Sequence, residues 1–330
     1  MKKIKVGIIG LGVGYKHFEA YKFSKYADVK KVSDFSKKKI DNFKKKFPKI
    51  STTNNASDLI KDPNIDLVSI ASYDEFHFEQ IKECIKYKKS IFVEKPACLT
   101  SKELNKMEKM INKNQINIES NFVLRTTEFF KKISKISNIK SNLYYLEADY
   151  LWGRYRKLFG WRKNTKNFSL ILGGAIHMID LICWILNMYP SHVTTYSNNI
   201  ALKNTNFKKD TFFLIILNFR NGLIAKISFN SNTNTKHFHQ VKFYFKNKSI
   251  FHTPQGTNVF VKSQKINNKI GKYPDKKRRK DLIGDYVKRL YKTNSSFKKN
   301  TLLFNVMKIC FAAIMSEKQK KVIKINYGRN

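Results

Sequence analysis

The chain has 330 residues, with 65 Lys+Arg against 24 Asp+Glu and a formal net charge of +41. Hydrophobic residues make up 42% and aromatics 14%, which is enough for a packed core and excludes wholesale disorder. No apolar run approaches the roughly 20 residues that span a bilayer, so no membrane role is expected, and the length suggests about two domains.

The charge is the unusual feature. Such a surplus raises the local concentration of any anion, from a nucleotide-linked sugar to a nucleic acid. Only nine of the 65 basic residues are Arg, however, and the lysines run along the whole chain. Sequence-reading proteins rely on Arg for bidentate contacts, so nucleic-acid binding is not expected. The densest run, Lys276-Lys277-Arg278-Arg279-Lys280, reads as a solvated helix entry. Cysteines stand at 84, 98, 183 and 310 without metal or redox spacing, which suits a reducing cytoplasm.

Ile4 to Ile9 reads as a buried parallel strand rather than a signal peptide. Gly10-Leu11-Gly12-Val13-Gly14 follows and opens an amphipathic helix. A strand, a glycine turn and a helix N-terminus are the setting for a dinucleotide pyrophosphate. The third glycine comes one residue early for G-x-G-x-x-G, which weakens the motif taken alone.

A second strand, Val29 to Ser33, ends at Asp34. A carboxylate there accepts from both ribose hydroxyls and repels a 2′-phosphate, which favours NAD over NADP. The same Asp suits a cap for the next helix through Ser36, and the two roles are compatible. Lys37 to Lys39 stand nearby and favour a 2′-phosphate.

Ser57-Asp58-Leu59-Ile60 reads as a helix capped by its Ser or Asp, and Ile65 to Ala71 as a strand. Ser72 to His77 forms a loop opening another helix. Ser90 to Val93 is a strand ending in Glu94-Lys95-Pro96, and Ile116 to Asn121 is another. The alternation predicts a Rossmann-type parallel sheet, whose ligands lie beyond the strand carboxyl ends. Gly10, Asp34, Ser72 and Lys95 all fall there.

These residues, and above all Glu94-Lys95-Pro96 with Leu99-Thr100 behind it, give a chain that resembles the Gfo/Idh/MocA oxidoreductases. That is the family of glucose–fructose oxidoreductase and inositol dehydrogenase. The resemblance implies that Lys95 reaches the substrate hydroxyl and that Glu94 lies near the nicotinamide ribose. It places Gly10, Gly12, Val13, Gly14, Asp34, Ser72, His77, Glu94 and Lys95 at the cofactor. Ser72-Tyr73-Asp74 departs from the Thr-Pro-Asn often found before His77.

Past residue 121 the pattern changes to longer strands: Leu143 to Leu151, Val193 to Ser197, Thr211 to Asn218, Leu223 to Phe229 and Val241 to Phe245. Asn221-Gly222 predicts a type I′ hairpin turn. The expected architecture is α/β. Residues 1–121 form an NAD-binding Rossmann domain. Residues 122–330 form an α/β domain with a mostly antiparallel open sheet, for substrate and for homo-oligomer contacts.

His177 and Asp180 are three apart on one helix and share a face. Histidine is suited to proton transfer near neutral pH. Asp180 either orients the imidazole or favours the helix N-terminus. The resemblance implies that His177 lies near the nicotinamide and that Lys95, His177 and Asp180 form the catalytic set. The family often places an Asp four residues before this His, and Gly173 stands there instead.

Arg125, Arg154, Tyr155, Trp161 and Arg162 are the candidate substrate residues, since aromatic faces stack on sugar rings and Arg forks bind phosphate or carboxylate. Packing of Arg162 on Trp161 is the bland alternative. His237 and His239 share a strand face without a third ligand, so no metal is expected. The implied activity is hydride transfer between nicotinamide and a hydroxyl-bearing carbon of a sugar, sugar derivative or sugar nucleotide. Redox-neutral glycoside cleavage and non-catalytic NAD binding are the alternatives.

Overall fold

The computed structural model describes residues 2–136, 139–262, 264–267 and 278–328. The chain divides into two compact units, Met1–Thr126 with Lys276–Phe304 and Thr127–Asp275 with Asn305–Asn330. The sequence reading instead ended the first domain at 121 and gave all later residues to the second. The return has a plain cause. The amphipathic helix Arg278–Lys292 buries Leu282, Ile283, Tyr286, Val287 and Leu290 in the first unit's core, beside Val6, Phe18 and Tyr21.

The first unit holds six parallel strands: β1 (Ile4–Ile9), β2 (Ala27–Ser33), β3 (Ser51–Thr53), β4 (Leu67–Ile70), β5 (Ser90–Val93) and β6 (Ile118–Ser120). Their order is β3-β2-β1-β4-β5-β6. Every residue of β4 is buried, as a strand covered on both faces requires. Five helices alternate with the strands: α1 (Gly14–Lys22), α2 (Lys37–Lys46), α3 (Ala56–Lys61), α4 (His77–Lys86) and α5 (Ser101–Asn114). The winding direction reverses between β1 and β4, which puts the topological switch point beside the glycine turn. The cap of α3 is Asn55, whose side chain accepts from the Ser57 amide, not Ser57 or Asp58. The short polar strand β3 has no signal in the sequence.

The second unit is built on a nine-stranded sheet of β7 (Leu143–Leu151), β8 (His192–Asn198), β9 (Phe212–Asn218), β10 (Ile224–Asn230), β11 (Phe238–Phe245), β12 (Ser249–Thr253), β13 (Gly256–Val261), β14 (Gln264–Asn267) and β15 (Ile323–Lys324). The order is β14-β13-β12-β11-β7-β10-β9-β8-β15. Only β7 and β10 pair in parallel. Its helices include α6 (Glu128–Ile133), α7 (Ile139–Asn142), α8 (Trp161–Asn164) and α9 (Ile176–Leu186).

The β9–β10 turn differs from the type I′ expectation. Gly222 has φ +85° and Asn221 does not share the positive φ that type I′ requires at both positions. The Phe219 amide donates to Leu223 O at 3.0 Å and the Gly222 amide to Phe219 O at 3.1 Å, which closes a three-residue loop with glycine at the left-handed position.

Of the basic run, Lys276 and Lys277 lie outside the described residues. Arg279 corrects the reading of a solvated entry. Its Nε lies 3.7 Å from Glu94 Oε1 within the first unit. Among the described residues no helix is long and apolar enough to cross a membrane.

Candidate active site

The glycine turn has the shape a dinucleotide needs. Gly10 takes φ +90°, and a Cβ there would sit 2.4 Å from Ala71 O. A Cβ at Gly12 would meet nothing within 4 Å, so the backbone is open to close approach by a ligand. Gly14 packs tightly, with a Cβ position 3.1 Å from Ala71 Cβ and 3.3 Å from Ile8 Cγ2. The early third glycine therefore still does the helix-against-strand work of the motif. Val13 precedes α1 and no side chain caps the helix, which leaves first-turn N–H groups for an anion.

Asp34 is buried at the carboxyl end of β2. Its Oδ2 accepts from the Leu11 amide at 2.7 Å, and its Oδ1 accepts from the Ser36 amide at 2.9 Å. It thus ties the glycine turn to the start of α2, as a cap would. Lys39 Nζ is 3.2 Å from Oδ2. Phe35 is 70% exposed and faces Tyr73 with ring centroids 5.8 Å apart. Such an aromatic pair suits a flat base. The open Gly12, the uncapped helix, Asp34 and this pair together fit an NAD-type cofactor.

Two further loops meet the same sheet edge. The Glu94 amide donates to Ile70 O at 2.9 Å, and the Asn121 amide to Val93 O at 3.0 Å. Ser72 Oγ donates to Gln80 Oε1 at 2.7 Å. His77 is fully buried, with Nδ1 2.7 Å from Pro96 O and Nε2 3.2 Å from Ser72 O. Its ring braces the Ser72 loop against the lysine turn. Lys95 is half-buried at the end of β5.

Glu94 is tied into that turn by several partners. Its Oε1 lies 3.1 Å from His17 Nε2 and accepts from Asn121 Nδ2 at 2.5 Å, with Arg279 nearby. Burial works to raise the Glu94 carboxyl, but the His17 hydrogen bond and the charges of Arg279 and Lys95 outweigh it and hold the group well below the usual carboxylate range. Burial also pushes His17 below its ordinary value, against the opposing pull of Glu94. Sequence reasoning missed His17, Asn121 and Arg279. A histidine on the buried face of α1 was the one available signal.

In the second unit His177 lies in the first turn of α9. Its ring meets Tyr150 and His239 edge-on, with centroids 6.1 Å away in each case. Tyr150 stacks on His239 at 4.1 Å, and His237 lies 5.1 Å from His239. Tyr150 of β7, His239 of β11 and His177 of α9 thus meet, with His237 just before β11 rather than on a shared strand face with His239. Among the described residues no group of three His, Cys, Asp or Glu side chains is placed to hold a metal ion. Asp180 is buried, and its charge adds to the effect of burial in raising the Cys310 thiol.

Gly173 and Gly174 lie in a π-helical turn, Ile171–Ala175. A Cβ at Gly173 would approach the Phe168 ring to 3.1 Å, and one at Gly174 would meet Phe229 at 2.1 Å. Aromatic rings therefore crowd the place where the family often carries an Asp.

The candidate substrate residues are scattered. Arg162 packs its guanidinium 4.3 Å over the Trp161 ring, the bland alternative of the sequence reading. Arg125 lies in the first unit, 3.8 Å from Glu119 and 4.9 Å over Phe122. Arg154 and Tyr155 are exposed around a 3₁₀ turn, Tyr155–Phe159.

Comparison with known proteins gives matching models for both halves. Residues 4–122 match the oxidoreductase family with an NAD-binding Rossmann fold, and residues 135–326 match its C-terminal alpha/beta domain. An uncharacterized oxidoreductase of Bacillus subtilis, YrbE, is 28% identical over 68% of this chain and 67% of its own length. Myo-inositol 2-dehydrogenase of Thermotoga maritima is 30% identical over 40% of each chain. The chain thus matches about two thirds of the first relative and two fifths of the second. Scyllo-inositol dehydrogenase from Lactobacillus casei, solved with NAD(H) and scyllo-inositol, shares the fold at TM-score 0.83, with 15% identity over 98% of this chain and 99% of that one.

Proposed function

The chain belongs to the Gfo/Idh/MocA oxidoreductase family, and we propose that it oxidises or reduces a hydroxyl-bearing carbon of a sugar or cyclic polyol. It is an NAD(P)-dependent dehydrogenase acting on CH–OH groups. The observation that carries the proposal is the lysine turn. Lys95 stands just past the carboxyl end of β5, on the same sheet edge as Gly10 and Asp34, where ligands of such sheets lie. The inositol dehydrogenases among its relatives support a polyol ring as the substrate class. Exposed Arg154 and the basic surplus support an anionic derivative such as a nucleotide-linked sugar.

Gly10, Gly12, Val13, Gly14, Asp34, Ser72 and Glu94 hold and orient the cofactor, with His77 bracing the loop. Bound NAD supplies the hydride acceptor for oxidation and, once reduced, the donor for the reverse reaction. Lys95 bonds the reacting oxygen and stabilises the negative charge that grows on it. His177 takes the hydroxyl proton as the carbon loses hydride, and returns it in ketone reduction. Asp180 supports the His177 helix. The second unit's sheet is also our proposal for homo-oligomer contacts, which light scattering would test. The four buried, unbridged cysteines accord with a reducing cytoplasm.

Gly173 in place of the family's Asp, with the Phe168 ring against it, favours a second reading, an NAD-binding protein without turnover. One assay separates the readings. The protein is mixed with NAD and a panel of myo-inositol, scyllo-inositol, free sugars and sugar nucleotides. Net NADH supports the dehydrogenase, and sugar release without NADH supports redox-neutral glycoside cleavage. NAD binding without turnover on the whole panel would leave a cofactor-binding protein.

A further inference from the structure

His17 stands at a place where α1 would ordinarily carry an apolar side chain. It is fully buried against the sheet, with its ring edge-on to Phe92 of β5 at 5.4 Å. A polar ring so placed costs free energy unless both nitrogens are bonded. Both are: Nδ1 lies 2.9 Å from Ser69 Oγ and Nε2 lies 3.1 Å from Glu94 Oε1. An ionised carboxylate only accepts, so Nε2 carries the proton and donates to Glu94, and Nδ1 accepts from the Ser69 hydroxyl. The Glu94 carboxylate therefore selects the tautomer, and the Ser69 hydroxyl on β4 holds the ring in place by donating to Nδ1.

We propose that His17 is a positioning residue for the reaction, fixing through its hydrogen bond the Glu94 carboxylate that keeps Lys95 in its charged, donating form. The inference rests on the reading of Lys95 as the lysine that bonds the reacting oxygen. The charged or titratable groups facing Glu94 are His17 from α1, Arg279 from the Arg278–Lys292 helix, and Lys95 beside it on the turn. Asn121, past the end of β6, adds a neutral donor. Removing the His17 donor leaves a buried carboxylate short of one hydrogen bond. Protonation then becomes easier, and Lys95 loses its negative neighbour. The same bond links α1, whose first turn faces the cofactor site, to the lysine turn.

The test compares His17→Phe with His17→Gln. Phenylalanine keeps the ring volume and the contact with Phe92 but has no donor. Glutamine keeps an amide donor. Lys95 is read by competitive acetylation across pH, followed by mass spectrometry of the peptide that contains it. That reading needs no substrate. In His17→Phe the Lys95 midpoint should fall by about half a pH unit or more. His17→Gln should restore most of the wild-type value. Turnover on whichever alcohol the wild type accepts should drop roughly tenfold in His17→Phe, with KM and NAD affinity little changed. Should His17→Phe fail to fold, Ser69→Ala, which removes only the hydroxyl that orients the ring, should move the midpoint the same way by less. A midpoint that stays put in the folded variants overturns the proposal, and so does a shifted midpoint with unchanged turnover. If Lys95→Met itself retains turnover, the lysine reading fails, while the acetylation result still reports on the coupling.

Discussion

Lys39 Nζ lies 3.2 Å from Asp34 Oδ2, the oxygen that also accepts from the Leu11 amide. The residue proposed to discriminate between cofactors is therefore paired with a cation. Lys39 is 43% exposed, so the pair contributes little to stability and is easily exchanged for a ligand. NAD should bind more tightly than NADP, because a 2′-phosphate would face the Asp34 carboxylate. Asp34→Ser should narrow the ratio of dissociation constants by roughly tenfold. Lys39→Ala should widen it by roughly two- to fivefold, since it removes a partner for the phosphate. Fluorescence titration of both cofactors checks this, and equal affinities in the wild type would take Asp34 out of the ribose site.

The buried His17 also sets an acid limit on stability. Its folded pKa lies below 6.5, the ordinary value it regains on unfolding. Above about pH 6.5 the imidazole is neutral in both states, and its contribution is fully present. As pH falls from there towards the lowered folded value, the unfolded chain takes up a proton that the fold refuses. Stability then declines by at most about 1.4 kcal/mol per pH unit from this group. Glu94 acts lower down: its folded pKa is also depressed, so its share is lost as pH falls below the ordinary carboxylate range. Urea unfolding from pH 7.5 to 5 should show the decline, and His17→Gln should flatten it. Parallel curves for the two proteins would remove His17 as the cause.

Gly174 is a packing glycine. A methyl group there would meet the Phe229 ring at 2.1 Å. Gly174→Ala should cost about 1–3 kcal/mol by overpacking. Gly173→Ala, with its nearest contact 3.1 Å away on Phe168, should cost less. Denaturant midpoints measure both. Phe229→Leu should recover part of the Gly174→Ala loss, because the obstruction is that one ring. An additive double variant would show that the strain lies elsewhere.

The sequence carries the parallel half of the fold well, because fully buried strands such as β4 are apolar throughout and each is followed by an amphipathic helix. It does not carry the return of Arg278–Lys292 to the first unit. That helix has an ordinary amphipathic pattern, and nothing local says which core its apolar face joins. Strands β12 to β15, near the two ends of the sheet, are only two to six residues long, so their periodicity is faint. At the candidate site, Gly10, Asp34 and Lys95 stand where the sequence reading expects them, just beyond the carboxyl ends of β1, β2 and β5. His17 and Asn121 act on Glu94 from 77 and 27 residues away, and no local spacing reveals such a partner. The Phe229 ring at Gly174, remote in the chain, is hidden for the same reason.

In the proposed mechanism Lys95 is the decisive residue. It follows Glu94, whose carboxylate is held ionised by His17, Asn121 and Arg279. A negative neighbour favours the protonated ammonium, which offers three donors. Its charge is worth more when the substrate oxygen is partly anionic than when it is a neutral hydroxyl, so it acts on the transition state more than on the ground state. Lys95→Met keeps the side-chain length and removes the charge. Turnover should fall by roughly 10²-fold or more while NAD affinity changes far less. His177→Ala should slow turnover by roughly 10²–10⁴-fold, again with NAD bound, because it removes the proposed proton carrier rather than the charge. Steady-state rates together with NAD titration separate the two effects. A folded Lys95→Met protein with near-wild-type turnover would sink the mechanism. One that no longer binds NAD would make Lys95 a cofactor clamp and leave the proton chemistry to His177 alone.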